Sequence, residues 1–176
     1  MIRVGKSRYH QFSLRALFVI VTLLCVCLGK TVTGAQRQRD AVARLKALPT
    51  EIYVWYDYQT SGLNWDKAPA MGNPFKPPPR PEWLSRSLGI DFLATVTFVD
   101  FTWSARLNRS EIAILRDLPT IQYLYLGDVN LSSSVTDTLK CLPKLRLLTV
   151  YPDVTEEDLT RLRRELPNCR VIRDPL

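Results

Sequence analysis

Apolar residues in the second half of the chain recur with a fixed spacing that predicts alternating strands and helices. Three Leu-Pro pairs begin at positions 118, 142 and 166, so they stand 24 residues apart. An apolar pattern with the spacing L-x-x-L-x-L follows the first two pairs. Its residues are Ile121, Leu124 and Leu126 in one unit and Leu145, Leu148 and Val150 in the next. Apolar positions that alternate with other residues over such a short run predict strands buried on one face.

The same pattern extends one unit in each direction. Its matches are Val96, Val99 and Phe101 before the first Leu-Pro pair, and Cys169 and Ile172 after the last. Three stretches between the strands are compatible with helices: 110–118, 135–142 and 155–166. In the last of these, Thr155 precedes three acidic residues, a sequence typical of a helix start.

The repeat length determines the expected fold of residues 82–176. A single strand and helix cannot bury the apolar face of the strand, so repeated units of this kind stack side by side. A period of 20–29 residues with one short strand per unit is typical of leucine-rich repeats. We therefore expect an α/β fold: a short leucine-rich-repeat solenoid with parallel strands on one face and helices on the other.

The region before the repeats contains one further unit and an insertion. Apolar residues at helical spacing predict a helix that Pro49 ends, and a strand follows, so residues 36–58 form a helix-strand unit. Residues 59–81 hold six of the twelve prolines and predict an irregular Pro-rich insertion. This insertion is either a surface loop or a ligand for a proline-recognising module. A short helix with Trp83 and Leu88 on its apolar face follows it.

The N-terminus combines basic residues with an apolar segment. Residues 16–28 contain thirteen residues of which only Thr22 is polar, and the wider segment 12–29 has 18 residues, enough for a marginal membrane span. The basic residues that precede or open it are Arg3, Lys6, Arg8 and Arg15. Such residues stay in the cytoplasm, so residues 1–11 predict a cytoplasmic tail and the rest of the chain an outward-facing part.

Two fates of this segment are open. It is either a retained transmembrane anchor (an uncleaved signal) or a cleaved signal peptide, with cleavage after Ala35 releasing a secreted repeat protein. We favour retention, because Lys30 and a polar gap separate the apolar segment from Ala35. The expected location is the cytoplasmic membrane, crossed once, with the N-terminus inside and the repeats outside.

The net charge of +7 comes mostly from the leader and does not indicate a further function. The four basic residues of the leader account for +4, and the remainder carries 20 Lys and Arg against 17 Asp and Glu, or +3. No basic stripe interleaved with aromatic residues occurs, so we do not expect a nucleic-acid partner.

The order of these segments resembles that of short bacterial single-span leucine-rich-repeat proteins. The matching motifs are the leader Phe12-Ser13-Leu14-Arg15, the helix Val42–Leu48, the strand Tyr53–Tyr58, the spacer Pro77–Pro81 and the unit Trp83–Phe101. The resemblance covers nearly the whole chain and implies architecture rather than activity. The Asn that usually ends the strand motif is not recognisable, although Asn130 falls four residues after Leu126.

The sequence offers few groups for catalysis. The single histidine, His10, lies in the tail, which removes His-based triads and His metal sites from the folded part. No phosphate-binding glycine motif is present, and we expect no enzyme, cofactor or metal. A hydrolase would have to use carboxylates whose separation the sequence does not fix: Asp57, Asp66, Asp91 and Asp100. Cys169 occupies an apolar strand position and predicts core packing, with a disulfide to Cys141 as the alternative.

Strand alternation predicts the candidate binding residues. If the apolar repeat positions point inward, their neighbours point to the other face of the sheet. Six such residues are candidates: Phe98, Asp100, Tyr123, Tyr125, Leu147 and Thr149, with Val171 and Arg173 as their counterparts in the last strand. Phe98, Tyr123, Leu147 and Val171 then form an apolar row, which is either an exposed contact surface or is covered by the insertion or the first strand.

These observations predict a membrane-anchored, non-catalytic protein that binds an unidentified protein or envelope polymer. The alternative is a structural component that self-associates into a homo-oligomer through the apolar row and the edge of the last strand.

Overall fold

A computed structural model describes residues 14–61, 76–78, 81–101, 107–129 and 131–174. The strands are β1 (Tyr53–Tyr56), β2 (Val96–Asp100), β3 (Tyr123–Leu126), β4 (Leu147–Val150) and β5 (Arg170–Arg173). The helices are α1 (Leu14–Lys46), α2 (Asp57–Thr60), α3 (Glu82–Leu88), α4 (Arg109–Ala113), α5 (Ser133–Lys140) and α6 (Glu156–Glu165). Short 3₁₀ turns cover Ile90–Phe92 and Ile114–Asp117.

The chain divides into two compact units, residues 1–34 and 35–176. Helix α1 is continuous, so it includes both the apolar segment predicted as an anchor and the helix predicted over 36–48. The polar gap that the sequence suggested between them is helical, because residues 30–40 contain no proline and their Thr and Gln side chains are tolerated in a helix. In the described part of the first unit the large apolar side chains are exposed.

The second unit contains one five-stranded sheet in the order β1-β2-β3-β4-β5. Strands β2 to β5 are parallel, as predicted, whereas β1 is antiparallel to β2, with Tyr53 opposite Asp100. A parallel β1 would need a crossover helix packed on the sheet before β2. Of the two helices that the structure describes in that connection, α2 is a single turn of four residues and α3 has no buried residue, so neither serves as one. The expectation of an all-parallel sheet is therefore wrong at its first strand.

The main core lies between the sheet and the helices α1, α4, α5 and α6. All nine predicted inward positions of the first three repeat units are buried: Val96, Val99, Phe101, Ile121, Leu124, Leu126, Leu145, Leu148 and Val150. The helices contribute residues such as Leu45, Ile112, Leu139 and Leu162. Burial of each large aliphatic side chain stabilises the fold by about 1.5–3 kcal/mol.

Each Leu-Pro pair ends a helical segment and starts the turn into the next strand. The residue before proline avoids the helical conformation, and Leu118 and Leu166 have φ near −120° and ψ near 63°. The same turn hydrogen bond then forms three times: the N–H groups of Ile121, Leu145 and Cys169 donate to the carbonyls of Leu118, Leu142 and Leu166. The 24-residue period of the sequence is therefore a period of the backbone.

The last strand departs from this period by one residue. Leu147 pairs with Tyr123, 24 residues before it, but with Arg170, only 23 residues after it. Val171 consequently aligns with Leu148 and enters the main core, while Ile172 aligns with Thr149 and packs on the opposite face. The prediction that Ile172 points inward and that Val171 and Arg173 continue the outer rows is wrong for this reason.

The other helix and strand boundaries lie closer to the predicted ones. The predicted strand over 52–58 ends at Tyr56, because Asp57–Thr60 form one helical turn. The helix predicted from Ser110 begins at Arg109, with Asn108 as its cap: the Asn108 side chain accepts from the Glu111 N–H, and the Glu111 carboxylate accepts from the Asn108 N–H. Most of the predicted insertion lies outside the described residues. The parallel sheet with its flanking helices is an α/β arrangement, and its assignment as a leucine-rich-repeat solenoid stays a prediction.

Candidate functional site

The six predicted residues lie together on the face of the sheet that is opposite the main core. Phe98, Tyr123 and Leu147 are paired across β2, β3 and β4, and Asp100, Tyr125 and Thr149 form the adjacent row. The rings of Phe98 and Tyr123 meet edge to face with centroids 4.4 Å apart. We call these six residues the sheet-face cluster.

The sheet-face cluster is buried. Tyr123, Leu147 and Phe98 are 0%, 2% and 3% exposed. At one end of the row, Trp55 of β1 stacks on Phe98 with ring centroids 5.9 Å apart. The expectation of an exposed apolar row is therefore wrong, and packing against the first strand, the open alternative, is present at Phe98. A role of these residues in partner binding stays a prediction.

The polar groups of the cluster have partners within the fold. Tyr123 Oη and Thr149 Oγ1 lie 2.8 Å apart, within hydrogen-bond distance. The Tyr125 hydroxyl donates to the Asp174 carboxylate, which follows β5. A buried hydroxyl without a hydrogen-bond partner would destabilise the fold. These contacts therefore allow the hydroxyl groups of the cluster to be buried among apolar side chains.

The chemistry of the two tyrosines is that of neutral phenols. Burial raises the pKa of Tyr123 to about 12, and the hydrogen bond with Thr149 opposes this effect only in part. Burial and the hydrogen bond to Asp174 also raise the pKa of Tyr125. Neither hydroxyl ionises at neutral pH, so the cluster can pack and donate hydrogen bonds but cannot serve as a general base.

A second polar cluster, which the sequence did not indicate, joins α1 to the sheet. Gln38 Nε2 donates to Asp91 Oδ1 at 3.0 Å and to the Ala94 carbonyl at 2.9 Å, and Gln38 Oε1 accepts from the Val96 N–H at 3.1 Å. The Tyr56 hydroxyl donates to the same Asp91 oxygen at 3.0 Å. Burial, and then the negative charge of Asp91, raise the pKa of Tyr56. Gln38 is buried and uses both ends of its amide, so it fixes α1 at the start of β2.

Of the carboxylates considered for a hydrolase, Asp57 and Asp100 lie at opposite ends of β2. Asp57 contacts Thr95, before β2 begins, whereas Asp100 ends β2 and pairs with Tyr53. Asp91 is engaged by Gln38 and Tyr56, and Asp66 lies outside the described residues. In the part of the chain that the structure describes, no group of three His, Cys, Asp or Glu residues is placed to hold a metal ion. All four cysteines are free thiols, and burial raises the pKa of Cys169 to about 12.

The two ends of the parallel strands carry open grooves of similar size. We call residues 127–131 and 151–158 the strand-end edge, and residues 116–122, 140–146 and 164–170 the strand-start edge. A groove of about 180 Å³ at the strand-end edge is lined by Asp128, Asp153 and Asp158, beside Tyr151, which is 36% exposed. A groove of about 170 Å³ at the strand-start edge contains the Lys140–Glu165 ion pair at 2.7 Å.

Sequence reasoning did not single out the strand-end groove, although a signal exists. Asp128 lies two residues after the end of β3 and Asp153 three residues after the end of β4. The ends of neighbouring parallel strands lie at the same edge of a sheet. Exposed Tyr151 beside these acids gives the groove an apolar wall and a negative rim.

The first unit provides a possible membrane segment. Among the described residues, α1 is the one helix long and apolar enough to cross a bilayer, by length and composition, and a signal sequence near an N-terminus meets the same criteria. Family models, curated protein sequences and solved structures contain no match to this chain.

Proposed function

We propose that this protein is a membrane-anchored, non-catalytic binding module with leucine-rich-repeat architecture, displayed on the outer side of the cytoplasmic membrane. The observation that carries the proposal is the continuity of α1. One helix contains a segment apolar enough to span a membrane and a segment whose side chains, including Leu45, enter the core of the parallel-sheet unit. A binding domain built directly on a membrane helix is suited to hold a partner at the membrane.

Retention of the anchor is supported by the surroundings of Ala35. The helix passes through this position without interruption, and the Ala35 side chain is buried. Cleavage after Ala35 would interrupt a continuous helix and remove the buried Ala35 side chain from the second unit. The basic residues before the apolar segment support an outward-facing repeat unit.

The strand-end edge is the surface that we assign to the partner. The sheet-face cluster is packed, whereas the strand-end groove is open and combines exposed Tyr151 with Asp128 and Asp153. Such a surface suits a protein segment or an envelope polymer that carries positive charge and one apolar group. Contact over so small a unit is local, so a few residues dominate the affinity.

Self-association receives less support. The apolar row that would mediate it is buried, and the terminal strand is partly blocked because Arg163 Nε donates to the Val171 carbonyl at 3.3 Å. Two copies that paired through β5 would also bring Arg170 and Arg173 of each chain close together, and like charges across a strand pair are unfavourable.

Site-specific photo-crosslinking in cells tests this proposal. A photoreactive phenylalanine analogue at position 151 should give a discrete crosslinked product in the full-length, membrane-anchored chain. Asp153→Lys should abolish that product, because it reverses one charge of the groove. The same analogue at Tyr53, an exposed tyrosine on β1, is the matched control.

The outcomes separate the proposed functions. A product that is specific to position 151 and sensitive to Asp153→Lys supports partner binding at the strand-end edge. A product that contains only a second copy of this chain supports the self-associating alternative. Equal products from positions 151 and 53, or none from either, would contradict the assignment of this surface.

A further inference from the structure

The two edges of the sheet carry opposite charge. The strand-start edge, residues 116–122, 140–146 and 164–170, contains six basic and two acidic residues. The basic residues are Arg116, Lys140, Lys144, Arg146, Arg164 and Arg170, and all six are exposed. The strand-end edge, residues 127–131 and 151–158, contains five acidic residues and no basic one. Two of the five, Glu156 and Asp158, form ion pairs with Arg173 and Arg161.

Ion pairing within the chain leaves the strand-start edge positive. Its two acidic residues are both engaged: Asp117 with Arg44 of α1, and Glu165 with Lys140. Favourable interaction with the C-terminal ends of helices accounts for basic residues in a last turn, such as Lys140 and Arg164. Lys144 lies in the turn before β4, Arg146 directly precedes β4, and Arg170 is the first residue of β5. The helix dipole therefore does not explain these three residues.

Exposed apolar side chains lie on α3, in the connection that leads to the start of β2. Helix α3 is joined through Gly89 to the 3₁₀ turn Ile90–Phe92, which leads into the start of β2. Its Trp83 is 66% exposed, and Leu88 is also exposed. Tryptophan beside basic residues is typical of protein segments that lie at the headgroup level of a membrane.

The attachment of α1 brings this edge within reach of a bilayer. Gln38 hydrogen-bonds to Ala94 and Val96 at the start of β2, and it lies nine residues after Gly29, the end of the predicted anchor. Nine residues cannot span more than about 32 Å even when fully extended. The start of β2 therefore lies within about 32 Å of the end of the predicted anchor, and the strand-end edge lies at the opposite end of the strands.

We propose that the strand-start edge, together with Trp83, docks on anionic lipid headgroups of the membrane that holds α1. This inference rests on the proposed function, because it requires α1 to be an anchor. Docking would present the acidic strand-end groove away from the lipid, toward a partner. Each basic residue near an anionic surface contributes about 1 kcal/mol, so removal of two of them should reduce the docking equilibrium by about 30-fold.

Fluorescence quenching by brominated lipids tests the docking. The full-length protein is reconstituted into vesicles of phosphatidylcholine alone, or of equal parts phosphatidylcholine and phosphatidylglycerol, each with or without brominated acyl chains. We expect stronger quenching in the vesicles with phosphatidylglycerol, and we expect Trp83→Phe to remove this additional quenching. High salt should reduce it as well, because screening weakens attraction between exposed charges.

Charge variants identify the surface. Lys144→Gln/Arg146→Gln removes two positive charges from the strand-start edge and should abolish most of the quenching that depends on phosphatidylglycerol. Arg109→Glu changes the net charge by the same amount at the start of α4, which follows β2 on the strand-end side, and should leave it unchanged.

The outcomes distinguish the failure of this inference from that of the proposed function. A chain that does not float with either vesicle has no membrane anchor, which overturns the proposed function and the docking together. A chain that floats with both vesicles but shows equal quenching in wild type and Trp83→Phe contradicts the docking alone. Equal effects of the two charge variants would contradict the assignment of the strand-start edge.

Discussion

The side chain of Gln38 should contribute more to stability than any other polar residue of α1. Substitution with alanine removes the acceptor of the Val96 N–H and the donor to the Ala94 carbonyl and Asp91. A buried N–H left without an acceptor costs about 1–3 kcal/mol, and each lost hydrogen bond adds about 1 kcal/mol. We therefore expect Gln38→Ala to lower the free energy of unfolding by about 3–5 kcal/mol. For a chain of this size, that corresponds to a decrease in Tm of about 6–20 °C.

Thermal unfolding of the full-length protein in detergent, followed by circular dichroism, measures this effect. Gln36→Ala is the matched control, because Gln36 is the same residue type on the same helix but is exposed. The control should change Tm by less than about 2 °C, as expected for a surface substitution. Equal Tm values for the two variants would refute the assignment of Gln38 as the residue that fixes α1 to the sheet.

Three further predictions test the core, the sheet-face cluster and the helix caps. Leu148→Ala should lower the free energy of unfolding by about 2–5 kcal/mol, because it removes buried apolar surface and leaves a cavity. Leu88→Ala, at an exposed position, should change it by less than about 0.5 kcal/mol. Chemical denaturation of both variants measures the difference. The pKa of Tyr123 is raised from 10.0 to about 12 in the folded state. The neutral phenol therefore makes its full contribution to the free energy of unfolding below pH 10, and this contribution is lost as the pH rises toward 12. Between pH 10 and 12, Tm should therefore decrease less steeply with pH for Tyr123→Phe than for wild type. Identical slopes would exclude Tyr123 as a cause of the loss of stability at high pH. Asn108→Ala should lower the free energy of unfolding by about 1 kcal/mol, because it removes the cap of α4. The control is Asn168→Ala, at an exposed position. An equal effect of both substitutions would contradict the capping geometry.

Much of the second unit followed from short-range sequence patterns. The spacing of the Leu-Pro pairs located the strands that follow them, and the turns between lie at these pairs because proline restricts the residue before it. The inward positions of β2, β3 and β4, such as Leu124 and Leu148, also followed from strand alternation. These signals are local, so neighbouring residues in the sequence were sufficient to recognise them.

The features that could not be predicted depend on distant residues. Gln38 resembled any polar residue on a helix surface, since its partners lie 53 to 58 residues away. Alternation placed Tyr123 on the second face of the sheet but could not show that this face is covered. The shift of Val171 into the core arises from a single-residue shortening of the last unit, which the 24-residue spacing of the prolines conceals.

Labelling of Cys141 in intact cells tests most directly the claim that the repeat unit is anchored and faces outward. Cys141 is exposed on the folded unit, whereas Cys169 is partly buried. A membrane-impermeant maleimide should label the full-length, membrane-bound chain in intact cells, and Cys141→Ser should lose this label. Labelling only after the cells are lysed, or recovery of a shortened chain in the soluble fraction outside the cytoplasm, would contradict the account.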